Sequence, residues 1–299
     1  MVEFIAKQSP ARIIALGFAA LILFGSVLLM LPCSVQDGAD LKYIDSLYTS
    51  TSAVCVTGLI AVDAGDTFTP LGQFFLAMLI QFGGLGVTTV GASVMLAIGK
   101  RINLKGRTII REAMNVDSGK GLIKLIHRIL IVTVIFEMLG AILSFIVFSK
   151  DYSPLKALGI SFFHSIAAFN NSGFDILGNL QNLIPYKDNV LLNLVTCCLI
   201  FFGGIGFLVI RELWVSRLRW KKLSMHAKVV LTVSFVLIAA GTILLKLTEN
   251  ITWLGALFHS VSARTAGFST YPIGTFSKSG LLVLTVLMFI GASPASTGG

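Results

Sequence analysis

Three short segments carry residues whose types and spacing suit one shared chemistry: Val54-Cys55-Val56-Thr57-Gly58-Leu59, Phe169-Asn170-Asn171-Ser172-Gly173-Phe174 and Ala263-Arg264-Thr265-Ala266-Gly267-Phe268. Each centres on a glycine among small or hydroxyl-bearing residues, and each ends a weakly apolar stretch (41–54, 155–169 and 251–263) too short to cross a bilayer. Such lengths suit re-entrant segments, and non-helical backbone at membrane depth must be buried in protein or line a watery cavity. Where several such loops converge, their carbonyl oxygens can replace the hydration shell of a cation. The glycine supplies the φ > 0 conformation that such a turn needs. A short helix ending at the same point adds the negative end of its dipole, which again favours a cation. One such glycine alone reads equally as a packing contact or a turn; three at matching positions point to cation binding by backbone.

Other residues have plainer readings. Gly83-Gly84-Leu85-Gly86 and Gly203-Gly204-Ile205-Gly206 suit close helix packing, with neighbouring spans approaching each other around a central axis. In Gly291-Ala292-Ser293-Pro294-Ala295-Ser296-Thr297-Gly298-Gly299, Pro294 removes a helical hydrogen bond and clashes with the preceding turn, at about 3 kcal/mol. That break is either a kink or a flexible element below the loops. Glu137 interrupts an apolar run, where an ionisable group is a functional candidate by default. A structural pairing with His127, Arg128 or backbone is an equal alternative. His164 and His259 recur within Phe-His-Ser triplets and suit satisfied polar contacts behind the loops rather than proton relays. Cys33, Cys55, Cys197 and Cys198 form no CxxC pair and read as small apolar residues of a membrane core. No nucleophile–base pair, HExxH or phosphate loop is present, and no cofactor is implied. An enzyme using Glu137 with His127 is a remote alternative.

The elements that must hold these loops are transmembrane. The chain has 299 residues, 55% hydrophobic and 12% charged, with mean hydropathy +0.88. Soluble domains carry about 25% charged residues, so a disordered chain, a disulfide-framed secreted domain and a cytosolic enzyme all fit poorly. Apolar runs of spanning length occupy about 13–31, 70–99, 129–149, 189–210, 229–245 and 279–299. The first lacks a small-residue cleavage site and reads as a retained span rather than a signal peptide. The unit is span, short helix, glycine loop, span. It divides the chain into a first repeat at 1–100 (filter 54–59), a second at 101–215 (filter 169–174) and a third, incomplete, at 216–299 (filter 263–268).

Charge sets the orientation. Sixteen of the 23 Lys and Arg lie in the N-terminus and in the connections Lys100–Arg128 and Arg211–Lys228, against Glu3, Glu112, Asp117 and Glu212. That side carries +12 and the remainder −3, within a net charge of +9. The positive-inside rule makes it cytoplasmic, with the short segments entering from outside. The basicity is thus topological, with anionic lipid headgroups as neighbours and no nucleic acid.

The three glycine loops resemble the first three filter loops of the Trk/Ktr/HKT potassium-transporter superfamily, and the Phe169–Phe174 motif is most similar to the KtrB-type membrane subunit. The resemblance covers the whole chain. It implies an all-α integral membrane fold of repeated helix–pore helix–filter loop–helix units with a pseudo-fourfold, potassium-channel-like pore. It implies potassium-lining backbone at Val56, Thr57 and Gly58, at Asn171, Ser172 and Gly173, and at Thr265, Ala266 and Gly267. Cys55, Asn170 and Arg264 would support the filter, Arg264 from behind its loop, and Gly291–Gly299 would be an intramembrane gate. The transported ion would be K+, with Na+ as a coupling, competing or alternative ion. The partners would be membrane lipids, a second copy in a homodimer and a cytosolic nucleotide-binding regulatory ring. The location would be the plasma (inner) membrane, multi-pass. Four repeats are the family pattern, so a fourth filter loop is expected beyond Gly299.

Overall fold

The computed structural model describes residues 9–86, 89–93, 108–110, 122–217, 219–294 and 296–298. Among them the architecture is all-helical, apart from one bridge between Val35 and Phe68. Among the described residues three single helices are long and apolar enough to cross a membrane: α1 (Pro10–Leu29), α4 (Leu122–Phe148) and α8 (Met225–Thr248). Pro10 opens α1 at the first helical position, where its missing N–H costs nothing, and Ser224 caps α8 by accepting from Ala227 N. Their outer faces leave Phe24, Ile142 and Phe235 exposed, as lipid requires.

A shorter helix follows each: α2 (Tyr43–Val54), α5 (Pro154–Phe169) and α9 (Trp253–Ser262). The same contact docks each on the long helix before it. Ser50 Oγ donates to Ile22 O (2.8 Å), Ser165 Oγ to Glu137 O (2.6 Å) and Ser260 Oγ to Ile238 O (2.9 Å). Opposite each hydroxyl the long helix carries a glycine (Gly25, Gly140, Gly241), and a Cβ there would strike that serine and Leu79, Leu199 or Leu287. Helix, short helix and the following apolar helix therefore meet at a point that admits no side chain.

The following helices, α3 (Pro70–Leu85), α6 (Val190–Gly204) and α10 (Lys278–Ile290), start at the caps Thr69, Asn189 and Ser277. All stop beside a glycine in the left-handed region: Gly86 (φ 82°), Gly206 (φ 90°) and Gly291 (φ 68°). This differs from the unbroken spans read over 70–99 and 189–210. A 16-residue helix rises about 24 Å, short of the ~30 Å hydrocarbon core. Beyond Gly206 the chain resumes as α7 (Phe207–Ser216), bent 100° from α6. The core lies around α5 and its loop, where Phe148, Phe169, Phe174, Phe258 and Phe268 are fully buried. Glu3, Lys7, residues 94–99 and most of the connection 100–121 lie outside the described residues.

Candidate ion-binding loops

After α2, α5 and α9 the backbone makes the same two left-handed excursions. The first is at Val56 (φ 54°), Asn171 (φ 56°) and Thr265 (φ 89°), and the second is two residues on, at Gly58 (φ 71°), Gly173 (φ 71°) and Gly267 (φ 81°). Asparagine tolerates that region, but β-branched valine and threonine do so at a cost of about 1–3 kcal/mol. The cost is offset by bonds back into the helix end. Thr57 N donates to Ser52 O (2.9 Å), Ser172 N to Ala167 O (2.9 Å) and Gly267 N to Ser262 O (3.2 Å). The Thr57 and Ser172 hydroxyls donate to the same two carbonyls at 3.3 and 3.2 Å, a bond Ala266 cannot make.

The loops lie side by side with the second in the middle. A Cβ on Gly58 would sit 2.5 Å from Ser172 O, and one on Gly173 would sit 2.5 Å from Ala266 O. Asn171, Ser172 and Gly173 are buried, whereas Thr57 and Gly267 are exposed. Behind the second loop, Asn170 Nδ2 donates to Gln81 Oε1 (2.8 Å), Ile166 O (2.9 Å) and Glu137 Oε1 (3.3 Å). Gln81 also bonds the Glu137 carboxylate, so the partners of Glu137 are amides. Neither His127 nor Arg128 is among them.

Gly83 and Gly203 do not bring neighbouring spans together. A Cβ at either would overlap Val54 O or Phe169 O, so these glycines let α3 and α6 pass directly against the ends of α2 and α5. The backbone of α3 and α6 thus lies directly against the carbonyls that end α2 and α5.

Residues 291–294 and 296–298 leave the helix and fold up against the second loop. Thr297 Oγ1 donates to Phe169 O (2.8 Å) and lies 3.1 Å from the side-chain amide of Asn171. Thr297 N donates to Gly203 O (3.1 Å), and Ser293 N to Gly204 O (3.0 Å). Arg264 Nε donates to Gly291 O (3.1 Å), tying the third loop to the start of this segment. Ala295 and Gly299 lie outside the described residues. A cavity of about 270 Å³ opens between the first loop and this segment, lined by Cys55, Val56, Gly84 and Thr297 among others. Cys55 faces it with no hydrogen bond from its thiol among the described residues, so it gives the loop no side-chain brace. All four cysteines are free, and only Cys197 is buried. His164 meets Thr196 Oγ1 at 2.9 Å, but His259 Nε2 is buried with no hydrogen-bond partner among the described residues, against the satisfied contact read from the sequence.

At the opposite end of the second loop, Asn182 gathers three strands of chain. Its Nδ2 donates to Gly173 O (3.3 Å) and Asp175 Oδ2 (3.1 Å), while its Oδ1 accepts from Ser269 N (3.0 Å). Asp63 and Asp66 accept from Leu180 N (2.5 Å) and Asn179 N (2.8 Å) of the adjoining turn. Burial pushes the Asp175 carboxyl up to about 6, nearby Asp63 and Asp66 add to the rise, and the Leu177 N–H and Asn182 oppose it. Gln81 and Asn182 are missing from the sequence reading. Gln81 had a visible signal, an amide in the middle of an apolar run; Asn182, in a polar loop, had none.

The family model for TrkH, described as a cation transport protein, matches residues 11–299. The potassium/sodium uptake protein NtpJ of Enterococcus hirae is 37% identical over 304 residues, covering 98% of this chain and 67% of its own length. The Ktr system potassium uptake protein B of Bacillus subtilis is 37% identical over 303 residues, covering 97% and 67%. The chain thus spans about two thirds of the length of these curated relatives. The crystal structure of the potassium transporter TrkH from Vibrio parahaemolyticus matches with a TM-score of 0.66 at 20% identity, over 98% of this chain and 59% of that one. It shares the fold. With these matches spanning nearly its whole length, the chain belongs to the TrkH family of cation transport proteins and, within it, to the Ktr B type.

Proposed function

We propose that this chain forms the ion path of a potassium uptake transporter of the plasma membrane, with K+ held by the backbone carbonyls of residues 56–58, 171–173 and 265–267. The observation that carries the proposal is the paired left-handed excursion repeated in three adjacent loops. Successive left-handed and extended residues turn carbonyls alternately, and adjacent loops can then face one axis with oxygens that replace water. The dipoles of α2, α5 and α9 end at that axis and favour a cation. The three units act as repeats of a pseudo-fourfold ring. Residues 291–299 close the path below the loops through Thr297. The basic connections face the cytosol and meet a nucleotide-binding regulatory ring, and two copies of the protein pair as a homodimer. Sodium as the carried or coupling ion is the second reading, favoured by the name of the Enterococcus hirae relative.

The test is Gly173→Ser in the full-length protein, with K+, Rb+ and Na+ competing for uptake into cells lacking their own potassium transporters. A side chain at φ 71°, 2.5 Å from Ala266 O, should cut the preference for K+ over Na+ at least tenfold at normal membrane abundance. Unchanged discrimination would refute carbonyl selection. Wild-type uptake that Na+ saturates at lower concentration than K+ would favour the sodium reading.

A further inference from the structure

Between α4 and α7 lies a cleft of about 260 Å³ that the ion path does not use. One wall runs down α4 from Leu125 through Ile129 and Val132 to Ile135, and the other is Phe207, Ile210 and Trp214 of α7. Among the described residues the charged groups lining it are Arg128 and Arg211, both exposed, and neither has an ion pair or hydrogen bond there. The acidic neighbour Glu212 is already bonded to Ser224 N (3.0 Å) and Ser224 Oγ (2.9 Å). We propose that this cleft binds an anionic phospholipid, with its phosphate between Arg128 and Arg211 and an acyl chain along the α4 wall.

Two features select a lipid over a soluble anion. From Arg128 to Ile135 the wall descends about 10 Å, roughly two thirds of the depth of one hydrocarbon leaflet. A free phosphate or nucleotide would leave that apolar wall uncovered. The bend between α6 and α7 also turns α7 out of the spanning direction, and Trp214 (76% exposed) and Val215 (67%) project from it. Exposed tryptophan beside arginine is the pattern of a segment seated at the headgroup level. A basic pocket between helices at that level suits an acidic headgroup.

The test reads lipid retention rather than transport, so it stands apart from the proposed ion path. Full-length protein, purified in detergent, is loaded with phosphatidylglycerol or phosphatidylcholine of equal chain length, and bound lipid is counted by native mass spectrometry. The protein should retain phosphatidylglycerol preferentially, and Arg128→Gln with Arg211→Gln should weaken that retention about tenfold to thirtyfold. If the double variant fails to fold, Val132→Trp, which fills the cleft and keeps both guanidinium groups, should lower retention instead. Equal retention of the two lipids, retention unaffected by the variants, or complete displacement by millimolar inorganic phosphate would each overturn the proposal.

Discussion

Gly203 and Gly204 are neighbours on one helix, and the structure separates them sharply. A Cβ on Gly203 would overlap Phe169 O and stand 2.8 Å from Thr297 Oγ1 and 3.0 Å from Asn171 Nδ2. A Cβ on Gly204 would meet only Asn171 Nδ2 at 3.7 Å and Ala292 Cβ at 3.9 Å, ordinary van der Waals distances. Alanine at 203 must therefore push the end of α5 away by an ångström or more. Overpacking of this kind costs about 1–3 kcal/mol, and here the strain falls on the carbonyl from which the second loop hangs. A misplacement of about 1 Å in a binding constellation is worth about 10²-fold in rate. Gly203→Ala should thus lower K+ uptake by one to two orders of magnitude, while Gly204→Ala stays within twofold of wild type despite its higher helix propensity. Rb+ flux into proteoliposomes, normalised to reconstituted protein, measures both. Equal effects from the two substitutions would refute the claim that α6 passes directly against the α5 terminus.

Thr297→Val keeps the shape of residue 297 but removes its hydroxyl's contacts with Phe169 O and the Asn171 amide, a hydrogen bond being worth about 1 kcal/mol. It should raise flux several-fold in the absence of any activator, and unchanged flux would count against residues 291–298 as a gate. Asp175 supplies a pH dependence. Its folded-state pKa of about 6 lies above the ordinary 3.8, so its contribution to stability is complete below about pH 4 and is lost as pH rises through 6. Conversely, its negative charge at the loop mouth is lost as pH falls through 6. Uptake should decline between pH 7 and 5 on that face of the membrane, and Asp175→Asn should flatten the profile; an identical decline in the variant would assign the effect elsewhere.

The three loops could be read from the sequence because their demand is local. Only glycine sits comfortably at φ 71–81°, so the backbone geometry appears as a residue type at a regular place. The long helices were equally legible, since crossing lipid requires an apolar run whatever its neighbours. The ends of α3 and α6 were not. Gly86 and Gly206 interrupt runs whose hydropathy continues undisturbed, and a glycine in such a run reads the same whether it packs inside a helix or ends one. The partners of Glu137 were hidden for a related reason. Sequence proximity suggested His127 and Arg128, ten and nine residues back on the same helix, whereas the bonding amides come from α3 and from the second loop. Contacts between elements set these features, and spacing along the chain does not encode them.

The second loop is held from four sides: by Asn170 with Gln81 and Glu137 behind, by Thr297 at one end, by Asn182 at the other, and by the flanking loops. The first and third loops have fewer ties. Their left-handed residues Val56 and Thr265 are the costly β-branched type, and Thr265 Oγ1 is buried with no hydrogen-bond partner among the described residues. Carbonyls that replace a hydration shell must resist collapsing on a smaller ion, and that resistance comes from whatever fixes the backbone behind them. On the proposed function, discrimination against Na+ therefore rests mainly on the second loop, and the looser first and third loops adjust to the ion that it admits. On the same reading, Thr297 reaches Phe169 and Asn171 at the base of the loop with the most ties. A movement of the segment carrying Thr297 would then alter the proposed filter and the proposed closure together, with no need for a separate transmission path between them.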